Sequence, residues 1–456
     1  MNPRTQTCLV LAVVWATGAS ADQLTLKRAL DLAEDRNLTV RQAAAAVDGE
    51  QALLSVARAQ RWPTLDVYQR YTRLDSRTVD RANEVSEGLG ELIGIELPPF
   101  AYRDNHRTEI VTRFPLWTSG AISAGVVGQR ELLTAATAAR DASVRGVHSQ
   151  TASLYFAVAA GDEVLRALRS ATERAERRLS ESERRVEVGL ATRQEVLRWR
   201  VEVEAARAEE AAAEADLLVF QLELAALLQV DLDAVRDPHV PREGVIEDLL
   251  TWADELDPDE VLEATAPSLE RLPDVQAARA RAAAARQEVR ATRAGLYPRV
   301  DGAFTYGWFE NDTLALDEFA DWSAALVLTI PIDLRGDVRG ASRAAAAGVV
   351  GLEASAAEAL TTVQLELGRN LAELQRVRTK LRSARRALTE ASARRELLAR
   401  QREVGFAGLL DLIDADNTLV ASDVALAVAR AEFLGAVARL ELVWPDADPP
   451  NGGLIP

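Results

Sequence analysis

The chain of 456 residues has very little sulfur and little histidine: one cysteine (Cys8), one methionine and three histidines. A lone thiol excludes a disulfide scaffold and any cysteine-built zinc or iron–sulfur site. His106, His148 and His239 are far apart in sequence, so no histidine metal centre, and no cofactor, is expected. Positive charge is also short, with 53 Lys and Arg against 70 Asp and Glu and a net charge of −17. A nucleic-acid partner is therefore excluded, because binding phosphates needs a basic face. No apolar run reaches the 18 or more residues of a membrane-spanning helix. The best stretch, Leu217 to Val230, is short and interrupted by Gln221 and Glu223. No glycine-rich phosphate loop follows a strand. Acid pairs such as Glu209-Glu210 sit in alanine-rich helical pattern as solvated faces. An enzyme has no support.

What the chain does contain begins with a leader. Arg4 precedes an apolar run from Cys8 to Trp15, and small residues follow up to Ala19-Ser20-Ala21. This is the pattern of a secretory signal peptide over residues 1–21, with a mature chain starting at Asp22. Cys8 lies too early to be a lipid anchor. Cleavage leaves an exported, thiol-free protein, suited to an oxidising periplasm.

The remainder is written twice. Arg58 to Asp66 (RAQRWPTLD) reappears as Arg293 to Asp301 (RAGLYPRVD), an offset of 235. Phe114-Pro115-Leu116 with Gly120 matches Ile330-Pro331-Ile332 with Gly336, at an offset of 216. Val188-Gly189-Leu190-Ala191 matches Val404-Gly405-Phe406-Ala407 at the same 216. The offsets differ by 19, so the first copy has a longer segment between its two prolines. Between each Gly and the following Val-Gly runs a breaker-free pattern with a 4,3 seam. Its members are Leu154, Val158, Gly161, Leu165, Leu168, Thr172, Ala175, Leu179, Ser182 and Val186 in one copy, and Val363, Leu367, Asn370, Leu374, Val377, Leu381, Ala384, Leu388, Ala391, Arg395 and Leu398 in the other. A seam of period 3.5 with many small members predicts close-packed coiled-coil helices over 121–187 and 337–403, each about 100 Å long. The Val-Gly pairs mark hairpin tips, followed by return helices over 193–230 and 409–443. Helices Leu38 to Arg61 and Asp274 to Leu296 complete the columns.

Strands lie on the other side of the prolines. Leu65, Val67 and Tyr71 alternate with Asp66, Arg70 and Thr72; Trp322, Ala324, Leu326, Leu328 and Ile330 form the cleanest apolar stripe. Strand pairs are expected over about 64–117 and 299–332, at the length that crosses a bilayer as a tilted strand. Trp62, Phe114, Trp117 and Tyr297 cluster at the strand–helix junctions, as membrane-interface aromatics do. The polar segments Asp75 to Asn105 and Glu310 to Asp321 would be the external loops. Four strands are too few for a closed barrel, and an open sheet edge cannot stand in hydrocarbon. The strands must be shared between copies; physics does not choose the number. The alternative is a soluble periplasmic coiled-coil scaffold whose strands form a small capping sheet.

With its duplicated helix–Pro–strand entry, Pro-containing strand exit and Val-Gly tips in fixed order, nearly the whole mature chain resembles the TolC-like outer-membrane efflux proteins. The resemblance implies a mainly α fold with membrane β. A long coiled-coil helical barrel is continuous with a 12-stranded β-barrel shared by a homotrimer in outer-membrane lipid. It divides the chain into a first repeat (22–231), an equatorial connector (232–272), a second repeat (273–444) and a flexible tail (445–456). It implies a conduit for efflux or type I secretion, working with a periplasmic adaptor and a proton-driven or ATP-driven inner-membrane pump. It also implies that Val188, Gly189, Leu190, Val404, Gly405 and Phe406 are adaptor-docking tips, although glycine at a helix end is also simple turn chemistry. After the second tip, Asp411 and Asp414 share one helix face. They match the aspartates lining the closed entrance of the family, where three copies would bring six carboxylates into a cation-selective ring. The plainer reading is that acids suit a helix N-terminus. Ala407 and Arg402 stand where the family's latching Arg and Tyr would fall, so the closed state would be held differently here.

Overall fold

The computed structural model describes residues 23–311, 320–404, 406–444, 446–450 and 453–455. The expected leader, Gly405 and the centre of the second external loop lie outside these residues. Ten α-helices and four strands follow in order: α1 (Leu26–Arg36), α2 (Leu38–Ala59), β1 (Thr64–Arg73), α3 (Ser76–Ile93), β2 (Asp104–Trp117), α4 (Ala121–Glu187), α5 (Arg193–Leu228), α6 (Glu243–Glu255), α7 (Pro258–Leu269), α8 (Pro273–Ala294), β3 (Arg299–Asn311), β4 (Ala320–Thr329), α9 (Asp337–Glu403) and α10 (Leu409–Val443). The chain forms two compact units. Among the described residues, one holds 23–37, Arg145–Ala264 and those from Leu367 on; the other holds Leu38–Val144 and Thr265–Glu366.

In the first unit the 4,3 seams are the core. Val158, Leu165, Leu168, Thr172, Ala175 and Ser182 on α4, and Leu367, Leu374, Val377, Leu381, Ala384 and Ala391 on α9, are buried; the other expected members in this unit, Leu154, Gly161, Leu179, Val186, Asn370, Leu388, Arg395 and Leu398, are only half-buried. Small members let helix axes approach: a Cβ on Gly161 would meet Leu217 Cδ1 at 3.0 Å. The connector contains α6, whose Ile246, Leu249, Leu250 and Ala253 are buried. Each large aliphatic contributes about 1.5–3 kcal/mol by burial. Ion pairs fix its register on α9. Arg378, Arg382 and Arg385, three and four apart on one face, engage Asp254, Glu243 and Glu247, with Arg378–Asp254 at 3.0 Å. Tyr155, fully buried, donates to the carbonyl of Leu24 or His239, at 2.6 and 2.7 Å. It thereby pins the N-terminal bridge Leu24–Pro238. The tail, expected to be loosely held, is tied back: Leu454 and Ile455 donate backbone N–H to the Glu441 carboxylate. Burial raises the Glu441 pKa, and these two donors oppose the shift.

In the second unit an antiparallel meander has the order β1-β2-β3-β4. The helices leading into it, α2 and α8, stop at Ala59 and Ala294, two residues before the expected ends. Pro63 and Pro298 follow within a few residues, and proline disfavours helical backbone just before it. Ile330, counted in the expected stripe, lies just past β4. Gly120 and Gly336 adopt φ of 87° and 75° at the turns into α4 and α9. That left-handed backbone is open to glycine at no steric cost. The first external loop is not simply a polar loop, because it contains α3. Asn83 exchanges two 3.0 Å hydrogen bonds with Ala101, and Ser86 donates to the Pro98 carbonyl at 2.8 Å. This 18-residue helix accounts for the 19-residue difference between the two offsets.

Candidate functional site

The strand register builds the first functional surface. Directly opposed residues share a face of a sheet, and Val67, Ile110, Tyr306 and Trp322 form one such row. The same face takes Leu65, Tyr71, Phe114, Val300, Phe304, Trp308, Ala324, Leu326 and Leu328. Phe114 lies across Gly302, where an added Cβ would meet its ring at 2.1 Å. The opposite face carries Asp66, Arg70, Arg107, Glu109, Arg113, Asp301 and Asp321, with Arg299 paired to Asp301 at 2.7 Å. Apolar side chains thus predominate on one face, which also carries Gln69, Thr108 and Thr112 and, at its loop end, the Arg73–Asp104 pair, while the other charges gather on the opposite face. On the apolar face Leu326 is 74% exposed, which no water-soluble sheet needs. A ten-residue strand is about 33 Å long, and a tilt of about 40° gives it about 25 Å of height, the apolar band of an outer-membrane barrel. Among the described residues no strand pairs the outer edge of β1 or of β4.

Aromatic residues flank that band. Trp62, Trp117 and Tyr297 are exposed at the helix–strand junctions, while Phe114 is half-buried within the strand face. The sequence pattern missed the other end: Tyr71, Tyr306, Trp308 and Trp322 gather towards the α3 end of the strands. Only the register brings this cluster together, because its members come from three strands.

The second surface is the pair of hairpin tips. Gly189 has φ of 75°, and Leu190 donates its N–H to the Arg185 carbonyl at 2.8 Å. Phe406 donates to the Gln401 carbonyl at 2.8 Å, so both tips close the same way. This is ordinary glycine-capped chemistry, but it does not require apolar tips. Val188, Leu190, Val404 and Phe406 are nonetheless exposed, Phe406 to 86%. Behind them Arg402 and Glu195 pair at 2.5 Å, joining the end of α9 to the start of α5. Asp411 and Asp414 are both exposed and already engaged. Asp411 Oδ2 accepts the Gly408 N–H at 3.0 Å, capping its own helix. Arg394 donates to Asp414 at 2.6 Å, and Arg395 to Asp416 at 3.0 Å. No sequence pattern points to Arg394, which reaches Asp414 only because α9 and α10 fold back on each other. Among the described residues no cluster of three or more potential metal ligands occurs.

Each repeat has a counterpart in known sequences. The sequence model of the family described as "Outer membrane efflux protein" matches residues 29–229 and 267–444, one segment per repeat. The chain belongs to the outer membrane efflux protein family. Among curated relatives of this family member, Protein CyaE of Bordetella pertussis is 27% identical over 458 residues, 96% of this chain and 90% of that one. Among solved structures, the outer membrane protein VceC of Vibrio cholerae has a TM-score of 0.73 at 18% identity, covering 94% of this chain and 96% of that chain. The CmeC outer membrane channel of Campylobacter jejuni has a TM-score of 0.75 at 16% identity, covering 93% and 86%. These likenesses establish the fold: mainly helical, internally duplicated, with the strand meander of an outer-membrane efflux protein.

Proposed function

We propose that the chain is the exit duct of a tripartite efflux or type I secretion system. In this reading three copies share one 12-stranded barrel in the outer membrane, and their helices continue it as a tunnel in the periplasm. The observation that carries the proposal is the sheet with one apolar face, one charged face and two unpaired edges. Unpaired backbone groups in hydrocarbon cost several kcal/mol each, so the edges must meet strands of other copies. Because β1 and β4 run antiparallel, β4 of one copy can continue onto β1 of the next without breaking the meander.

The tips Val188–Leu190 and Val404–Phe406 are the surfaces on which a periplasmic adaptor would dock, linking the duct to an inner-membrane pump. Their exposed apolar side chains on hydrogen-bonded turns support this role. Asp411 and Asp414 would ring the periplasmic entrance. Arg394 offsets part of the charge of such a ring, which leaves Asp411 as its stronger member. Detergent-extracted protein, run on gels with and without heating and then reconstituted in planar bilayers, tests the proposal. A heat-sensitive oligomer that gives discrete conductance steps is expected. A monomer recovered in the soluble periplasmic fraction would instead favour the scaffold reading.

A further inference from the structure

Helices α4, α5 and α10 of the first unit leave a groove between them. Part of it is a cavity of about 380 Å³ lined by Phe156, Val164, Phe220, Val424 and Val428, where alanine at 157, 160 and 431 leaves the room. Val164, Phe220, Val424 and Val428 all remain half-buried beside it. Small-molecule sites have this size and this make-up, mostly apolar with a few placed polar groups. Val164, Asp216 and Val424 also line a second cavity, of about 580 Å³, so the groove runs on past them.

The charges around the first cavity fall at its two ends. At one end Glu373 pairs with Arg376 and Glu432 with Lys380, each at 2.7 Å, and Arg439 donates to Ser153 Oγ at 3.2 Å. No carboxylate is free there. Asp216 is at the other end, level with Val164, which is eleven residues or about 16 Å along α4 from Ser153. Its neighbours Glu210 and Glu214 both pair with Arg169 at 3.5 Å. Asp216 itself has no ion-pair partner among the described residues. The same holds for Glu209 and Glu202, one and two heptads back on α5, which line the second cavity. Arg174, the cation lining that cavity, donates to Ser170 Oγ at 2.5 Å and has Asp423 nearby. The apolar cavity supplies the site and the unanswered acids supply its sign.

We propose that this groove is a binding subsite for lipophilic organic cations. The apolar body of the ligand fills the space between Phe156 and Phe220, and its positive centre sits at Asp216. Phe220 adds the attraction of an aromatic face for a cation. The subsite has a defined side. Arg430 of α10 reaches α6 through Glu243 at 3.1 Å. Val428 and Glu432 stand two residues either side of Arg430, about 200° around the helix. The groove and α6 are therefore on opposite sides of α10. Inside a tunnel α6 would obstruct the bore, so the groove is the side that faces it; this placement rests on the duct proposed above.

Equilibrium dialysis of the full chain in lipid nanodiscs, with empty discs subtracted, tests the subsite. The probes are tetraphenylphosphonium and its neutral relative triphenylphosphine oxide. Saturable binding of both is expected. Asp216→Asn, at an exposed position, should weaken the cation about threefold, as an exposed ion pair of about 0.6 kcal/mol would, and leave the neutral probe unchanged. Ala157→Trp, which fills the cavity, should weaken both at least tenfold while the unheated oligomer persists. If that variant does not assemble, Asp216→Asn decides alone. No saturable binding of the cation, or an equal effect of Asp216→Asn on the two probes, overturns the proposal. The same preparation in planar bilayers keeps the two readings apart. Conductance steps without saturable binding overturn the subsite and leave the duct; saturable binding without conductance supports the subsite and overturns the duct.

Discussion

Placing an arginine at Leu326 and, separately, at Val327 tests the assigned membrane face most stringently. Leu326 is opposite Gly302 on the apolar face and four residues from Trp322, about 13 Å along the strand. It therefore lies near the middle of the apolar band. A lipid-facing arginine at that depth costs about 2–4 kcal/mol, or about 30- to 700-fold in folding equilibrium per copy. Every copy in a shared barrel pays that cost, so the effect on assembly is steeper still. Val327 is opposite Asp301 on the charged face, where an arginine finds an acid and water. Its cost should stay within about 0.5 kcal/mol, as for an ordinary surface change. Urea titration of protein inserted in lipid vesicles, read by heat-sensitive migration, gives both values. Equal losses at the two neighbours, or a greater loss at Val327, would refute the assigned face.

Three further outcomes follow from the described contacts. Asp411→Ala with Asp414→Ala should abolish block by trivalent cations added from the periplasmic side of a planar bilayer. Arg394→Ala, which releases Asp414, should strengthen that block; the opposite order would move the constriction elsewhere. Gly302→Val should displace the Phe114 ring and cost about 1–3 kcal/mol by overpacking. Adding Phe114→Ala should recover part of that loss in the same urea titration, and strictly additive losses would mean the ring does not lie over Gly302. Burial lowers the pKa of His148, and Glu34 beside it at 3.9 Å partly offsets the shift. A base with a depressed pKa binds its proton more readily when unfolded, so stability should fall as pH drops through the ordinary histidine value near 6.5. Thermal melts at pH 7.5 and 5.5 should show that fall, smaller in His148→Gln; an equal fall in both proteins would exonerate His148.

The parts of this fold legible in the sequence are those whose signal repeats. α4 and α9 are legible because 4,3 seams such as Leu165, Leu168, Thr172 and Ala175 run without a breaker to a Val-Gly pair, and α5 and α10 because each follows such a pair. Prolines 63 and 298 mark where helix gives way to strand. α3 escaped because its buried face is Val79, Ser86 and Gly90, which hydropathy cannot show; hydrogen bonds to Pro98 and Ala101 hold it instead. α6 carries an apolar spacing in Ile246, Leu249, Leu250 and Ala253, but it falls outside the duplication, so no second copy reinforces its signal. At the start of α10 the spacing of Asp411 and Asp414 is legible. Their partners were not, since Arg394 approaches from 20 residues away through a helical hairpin.

The proposed duct requires the two open sheet edges to close on other copies. Native mass spectrometry of protein released gently from detergent measures this most directly. One dominant species of three chains that dissociates only under activation is expected. A stable single chain as the dominant species would contradict a shared barrel.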